Sequence, residues 1–253
     1  MSAEVSKNQS QLSRIFKQWR RNRRAVVGAF ILIVIIAMAI FAPYVTRYEP
    51  QKQNMRNRLQ PPSAEHIFGT DQFGRDTYSR VVYGARLSLQ VGFYSIGMAL
   101  LIGCTLGLLA GYYGGVLDNV IMRVVDVLMA LPGFLLALSI VAALGPGIEN
   151  VVLAIGVSYV PSFARMMRSA VLSTRELDYV DAARALGAKD RRIILSHVLP
   201  NSLSPIIVLT TLSMAGAILS AAGLSFLGMG AQPPTPEWGS MIANSRPFIR
   251  VSH

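Results

Sequence analysis

Between two strongly apolar stretches lies a charged segment, Tyr179 to Pro200, in which Asp181, Ala182 and Ala183 are followed at fixed distance by Gly187, Leu199 and Pro200. These residue types suit the transfer of mechanical force rather than bond-making chemistry. Acids at the start of a helix read over Glu176 to Leu186 complement its dipole, and Gly187 can take the left-handed conformation that stops it. Ala182 and Ala183 leave a surface poor in side chains, which a partner can approach closely. A solvated surface helix between two membrane spans would carry the same pattern.

A second group of residues could line a path through a bilayer. Thr210, Ser213, Ala217 and Ser220 fall within an arc of about 80° on a helix turning 100° per residue. Pro161, beside Ser158, Tyr159 and Ser162, can kink its helix and free carbonyls toward the same path. Hydroxyls exchange hydrogen bonds with a passing solute without the fixed charge that would trap it. Close helix packing is the alternative use of both clusters.

A third group sits in residues 66–89, where Gly69, Gly74 and Gly84 permit tight turns and Asp71, Arg75, Asp76, Arg80 and Arg86 can pair with one another. It reads as a loop pinned to the membrane surface by internal ion pairs. The competing reading makes Asp71, Arg75 and Asp76 a docking surface for an external partner.

No phosphate-cradling loop of the Gly-x-x-x-x-Gly-Lys-Ser/Thr type occurs, nor a nucleophile elbow or a zinc-binding His-Glu-x-x-His run, so no catalytic, cofactor or metal site is read and the energy source must be another chain. His66, His197 and His253 are far apart, and the single Cys104 lies inside an apolar stretch. An ion-driven secondary carrier would keep ionisable groups in mid-membrane. Asp126 is the one candidate, and an ion pair with Arg123 is its expected role.

The elements that hold these residues follow from composition. Of 253 residues 52% are hydrophobic and 15% charged, with a mean hydropathy of +0.44, which marks an integral membrane protein. Leu87 to Leu117 carries no charge, roughly 46 Å of helix against a hydrocarbon core of about 30 Å. Similar runs give five spans, at about 25–45, 87–110, 122–144, 151–166 and 200–224. The net charge of +11 sits in blocks between spans rather than in an aromatic-lined groove, so nucleic acid is excluded as a partner and the bilayer takes its place. Lys7, Arg14, Lys17, Arg20, Arg21, Arg23 and Arg24 precede the first span and hold the N-terminus in the cytoplasm. Alternation then puts 46–86 outside and 167–199 inside. Gly103, Gly107 and Gly111 form a small-residue ladder for close helix packing.

Asp181-Ala182-Ala183, Gly187 and Leu199-Pro200 resemble the EAA loop of permease subunits of ATP-binding-cassette importers, with Asp181 in place of the usual Glu and His197 where Ile is common. The run from Gly69 to Leu89, with GLSFLGMGAQPPTPEWGSMI at 223–242, is similar to the second permease subunit of the dipeptide, oligopeptide, glutathione and nickel importers. The resemblance implies an all-α transmembrane bundle of the type I importer kind in a bacterial inner or plasma membrane. It divides the chain into a cytoplasmic tail 1–24, a first transmembrane helix 25–45, an external segment 46–86 and a permease core 87–253 with its coupling loop at 176–200. The family has six spans, and this chain, ending at His253, is expected to lack the sixth. The resemblance further implies a second homologous permease, two cytoplasmic ATPases that bind ATP and Mg, and an external substrate-binding protein. Asp181, Ala182, Ala183 and Gly187 would couple to the ATPases, and peptides, with nickel or glutathione as alternatives, would be the cargo.

Topology is directly measurable. In a Cys104→Ala background, single cysteines at Ser10 and Lys189 are expected to escape an impermeant thiol reagent in intact cells, and one at Gln60 to react. Labelling at 189 from outside would overturn the span count.

Overall fold

The computed structural model describes residues 22–248, and those residues form helices joined by short loops, with no strand among them beyond an isolated bridge between Thr70 and Asp76. Of the basic block before the first span, Arg23 and Arg24 are described. Lys7, Arg14, Lys17, Arg20 and Arg21 lie outside the described residues.

Helix α1, Arg23–Ile40, starts where the Asn22 side chain accepts from the Ala25 amide, and stops at Phe41, after which Pro43 opens a single turn, α2, Ala42–Val45. The span expected over 25–45 is therefore shorter and broken. Phe30, Ile31 and Ile33 of α1 are exposed, as a surface covered by lipid would be. Helix α3, Thr77–Tyr113, has 37 residues. It begins ten residues before the expected 87 because Asp76 caps it, its carboxylate accepting from the Ser79 amide at 2.8 Å and hydroxyl at 2.6 Å. Residues 77–86, assigned by sequence to the external segment, are thus helix.

The largest departure is the third span. Residues 122–144 do not form one helix: α4, Gly115–Met129, and α5, Gly133–Leu144, meet at 85° around Pro132. Proline lacks the amide that would continue α4, and Gly133 follows it without a side chain to resist the turn. Helix α6, Ile148–Arg175, outruns the expected 151–166 and continues through Pro161. Two short helices follow, α7, Asp178–Ala185, and α8, Asp190–Ile193. A π-helical turn, Ile194–Val198, then leads into α9, Leu199–Phe226, and a last helix, α10, Trp238–Ser245, is capped by Glu237.

Helices α3 and α6 share the most extensive contact, and α9 packs against both. The ladder of small residues is the reason. A Cβ on Gly103 would come 2.6 Å from Phe163 Cβ, one on Gly107 would strike the Ala164 carbonyl, and one on Gly111 would meet the Arg168 carbonyl at 2.9 Å. Side-chain-free steps on α3 therefore let the α6 backbone sit against it, and Phe163, Met167, Ile96 and Ile155 fill the remaining volume, all fully buried.

Gly107→Ala should therefore force the two backbones apart, costing about 1–3 kcal/mol by overpacking. Gly97→Ala, on the same helix with open space around it, should be neutral. Thermal unfolding of the two variants in detergent is expected to separate them, with a lowered midpoint for Gly107→Ala only.

Candidate functional site

The charged loop is built around a helix stop. Gly187 has φ +81°, its amide donates to the Arg184 carbonyl at 3.0 Å, and the next amide, Ala188, donates to the Ala183 carbonyl at 3.1 Å. Those two bonds define a Schellman motif, with Ala183 and Ala188 packed against the core at its base. The helix is one turn shorter than the expected Glu176 to Leu186, because Glu176 closes α6 and the chain extends at Leu177 before α7 begins. Val180, fully buried, anchors α7, while Asp181, Ala182 and Gly187 face out. Asp181 makes a surface ion pair with Arg184 at 3.0 Å. Leu186, 88% exposed, is carried at the tip beside the glycine, and an apolar side chain held so far from its own core is suited to insertion into a partner. In the sequence it reads as one more apolar residue of an amphipathic helix. His197, in the π-helical turn, lies near Tyr179 with ring centroids 6.2 Å apart and the rings tilted at 55°.

The hydroxyl residues divide into two sets. Ser158, Tyr159 and Ser162 of α6 and Ser220 of α9 line one cavity of about 400 Å³, bounded on its other side by Leu128, Met129, Leu131, Pro132 and Phe134. Tyr159 reaches across it, its hydroxyl lying against Gly216 of α9, where any side chain would collide. Ser213 is buried instead, 6% exposed, and Thr210 belongs to a separate apolar groove between α3 and α9 with Phe93, Tyr94, Met98 and Met214. Of Thr210, Ser213 and Ser220, expected to share one path, only Ser220 lines the cavity with the α6 hydroxyls. Hydropathy does not disclose the third wall of the cavity, although Pro132-Gly133 in an apolar run is a signal for it.

The wall is held in place by charge. Asp118 accepts two hydrogen bonds from Arg168, both 2.5 Å, and Asp126 accepts one from Arg165 at 2.8 Å. Asp126 thus pairs across to α6 rather than with Arg123 on its own helix. Bidentate arginine–carboxylate geometry fixes orientation as well as distance, so α4 is tied to the helix that carries Ser158, Tyr159 and Ser162.

Asp71, Arg75 and Asp76 do not form a free docking surface. Arg75 and Asp76 are 4% and 5% exposed. Arg75 donates to Asp71 at 2.7 Å, Arg80 approaches Asp71 at 3.5 Å, and Asp76 holds both the α3 cap and His66, at 2.9 Å. The pinned loop is the reading that the geometry supports.

Comparison with known proteins adds an independent line. A family model described as the inner membrane component of binding-protein-dependent transport systems matches residues 103–249. A second, the N-terminal transmembrane domain of oligopeptide transport permease C, matches residues 10–62. A dipeptide transport system permease protein of Alkalihalophilus pseudofirmus is 54% identical over 93% of this chain and 77% of its own length. A di/tripeptide permease of Pseudomonas aeruginosa is 44% identical over 95% of this chain and 81% of its own, and a glutathione permease of Pectobacterium atrosepticum 44% over 90% and 77%. Among solved structures, an inward-facing methionine transporter, MetNI, aligns with a TM-score of 0.56 at 20% identity, over 69% of this chain and 83% of that one, a likeness of fold alone.

Gly187→Val would force a β-branched residue into the left-handed region, at about 1–3 kcal/mol, and Gly187→Asn would tolerate it. The valine variant is expected to insert normally but to bring down fewer co-purifying chains than the wild type, and the asparagine variant to match the wild type. Unchanged co-purification by both would show that the turn does not present the tip.

Proposed function

Because this chain belongs to the family of inner membrane components of binding-protein-dependent transport systems, we propose that it is one of two permease subunits of an ATP-driven bacterial importer of di- and oligopeptides. The 54% identity to a dipeptide permease over nearly the whole chain carries the choice of cargo. In this reading the cavity lined by Ser158, Tyr159, Ser162 and Ser220 is part of the translocation path, completed by a second permease. Its uncharged hydroxyls suit a zwitterionic peptide, whose amides need hydrogen-bond partners and whose two charges would be trapped by a fixed ion. Asp181, Ala182, Ala183, Leu186 and Gly187 receive an ATPase from the cytoplasm, the side to which the basic N-terminal block assigns them. An external binding protein delivers the peptide.

Gradient-driven transport is the competing class, and it requires a carboxylate free to exchange a proton or sodium ion within the membrane. Asp118 and Asp126 are each held by an arginine, which argues against it.

Vesicles holding the chain with its co-expressed partners separate the two. Uptake of tritium-labelled dialanine is expected to continue when ionophores collapse the proton and sodium gradients, and to stop when a non-hydrolysable ATP analogue replaces ATP. Excess unlabelled dialanine should compete better than glutathione. Uptake that follows the gradient and ignores ATP would reverse the assignment.

A further inference from the structure

The two ends of the 176–189 part of the coupling loop, which carries α7 and the Gly187 turn, converge on a single residue of α3. Arg175, the last residue of α6 before the loop, donates through Nη1 to the carbonyls of Gly111 and Tyr112, at 2.9 and 3.2 Å. Asp190, the first residue of α8 after the loop, accepts from the Tyr112 hydroxyl at 2.8 Å. Tyr112 is therefore bonded by its backbone to the entrance of the loop and by its side chain to the exit. Tyr112 is itself only 8% exposed, whereas Arg175 is half-buried and Asp190 exposed, and a hydrogen bond to a carboxylate is stronger than a neutral one. The Arg175 guanidinium also meets the negative end of the α3 dipole, where a cation is favoured.

The helix so gripped is continuous. Helix α3 runs 37 residues, roughly 55 Å, and its far end is clamped in turn: Arg80 donates to the carbonyls of Pro50 and Pro234, at 3.0 and 3.2 Å, and the Trp238 indole donates to the Val81 carbonyl at 3.0 Å. One helix thus joins the coupling loop to the loop assembly at the opposite end of the bundle.

We propose that Tyr112 is a positioning residue for transport, converting a displacement of the 176–189 loop into a movement of α3 and of the loops clamped to its far end. The bond to Arg175 holds the loop's entrance in place on the helix, and the bond to Asp190 transmits the motion of its exit. The proposal rests on the reading of the chain as an importer permease.

The test uses the full chain with its second permease, ATPases and binding protein in proteoliposomes, with uptake of labelled dialanine and release of phosphate from ATP measured together. Tyr112→Phe, which removes the hydroxyl and keeps the packing, is expected to lower uptake about fivefold or more while ATPase retention and hydrolysis stay at wild-type levels, so that the ATP consumed per dialanine rises by the same factor. Asp190→Ala should do likewise. Asp190→Asn, which keeps an acceptor oxygen, should retain the wild-type ratio, and Tyr112→Phe with Asp190→Ala should be no worse than either alone. A wild-type ratio in Tyr112→Phe, losses that multiply in the double variant, or hydrolysis that falls in step with uptake would each overturn the proposal while leaving the permease reading intact. Wild-type proteoliposomes that take up no dialanine on ATP would bring down both.

Discussion

The close approach of α3 and α6 is the contact on which the remaining structure depends. Gly103, Gly107 and Gly111 remove three side chains from one stripe of α3, and the α6 backbone occupies the space they leave. In a bilayer the attraction between helices comes from packing rather than from expelling water, so such backbone proximity is where the stabilisation originates. Several of the candidate features are then distributed along α6. Its middle carries Ser158, Tyr159 and Ser162, its polar half carries the arginines that hold α4, and its last residue caps α3 and opens the charged loop.

Features set by local chemistry were legible in the sequence, and those set by the direction of a neighbour were not. Gly187 announced its left-handed turn because few other residues occupy that region cheaply, and the glycine ladder announced a packed face. Charge-free runs located the apolar segments, since a buried charge is costly in any orientation. Hydropathy carries no direction, however, and so the run from 122 to 144 read as one straight span when Pro132 turns it through 85°. The arc of Thr210, Ser213 and Ser220 was placed on one helix face, yet a helix as long as α9 passes several neighbours, and only Ser220 reaches the cavity with the α6 hydroxyls. Asp126 chose Arg165 over Arg123 because α6 passes close to α4, a fact of tertiary packing that no spacing encodes.

The segment between α2 and α3 shows how a charged stretch can be structural. Arg75, Arg80 and Asp76 are nearly inaccessible, and each has its polar atoms engaged by a carboxylate, a carbonyl, a helix terminus or His66. Breaking one partner of such a set leaves the other charged and buried, at a cost of several kcal/mol, about 3–5 in comparable buried pairs. The ion pairs therefore specify one arrangement of the loop over α3, whatever their net contribution to stability.

The π-helical turn at Ile194–Val198 gives the length of this chain an angular meaning. Each residue added to or removed from a helix rotates everything beyond it by about 100°, and a π turn is the trace of one such extra residue accommodated in place. Here it stands between α8 and α9. The separation of Gly187 from Ser220 is thus a phase as much as a distance. The exposed side chains along this stretch can change without moving the cavity wall, but a single insertion or deletion not absorbed by such a turn would rotate that wall away from the helix it faces.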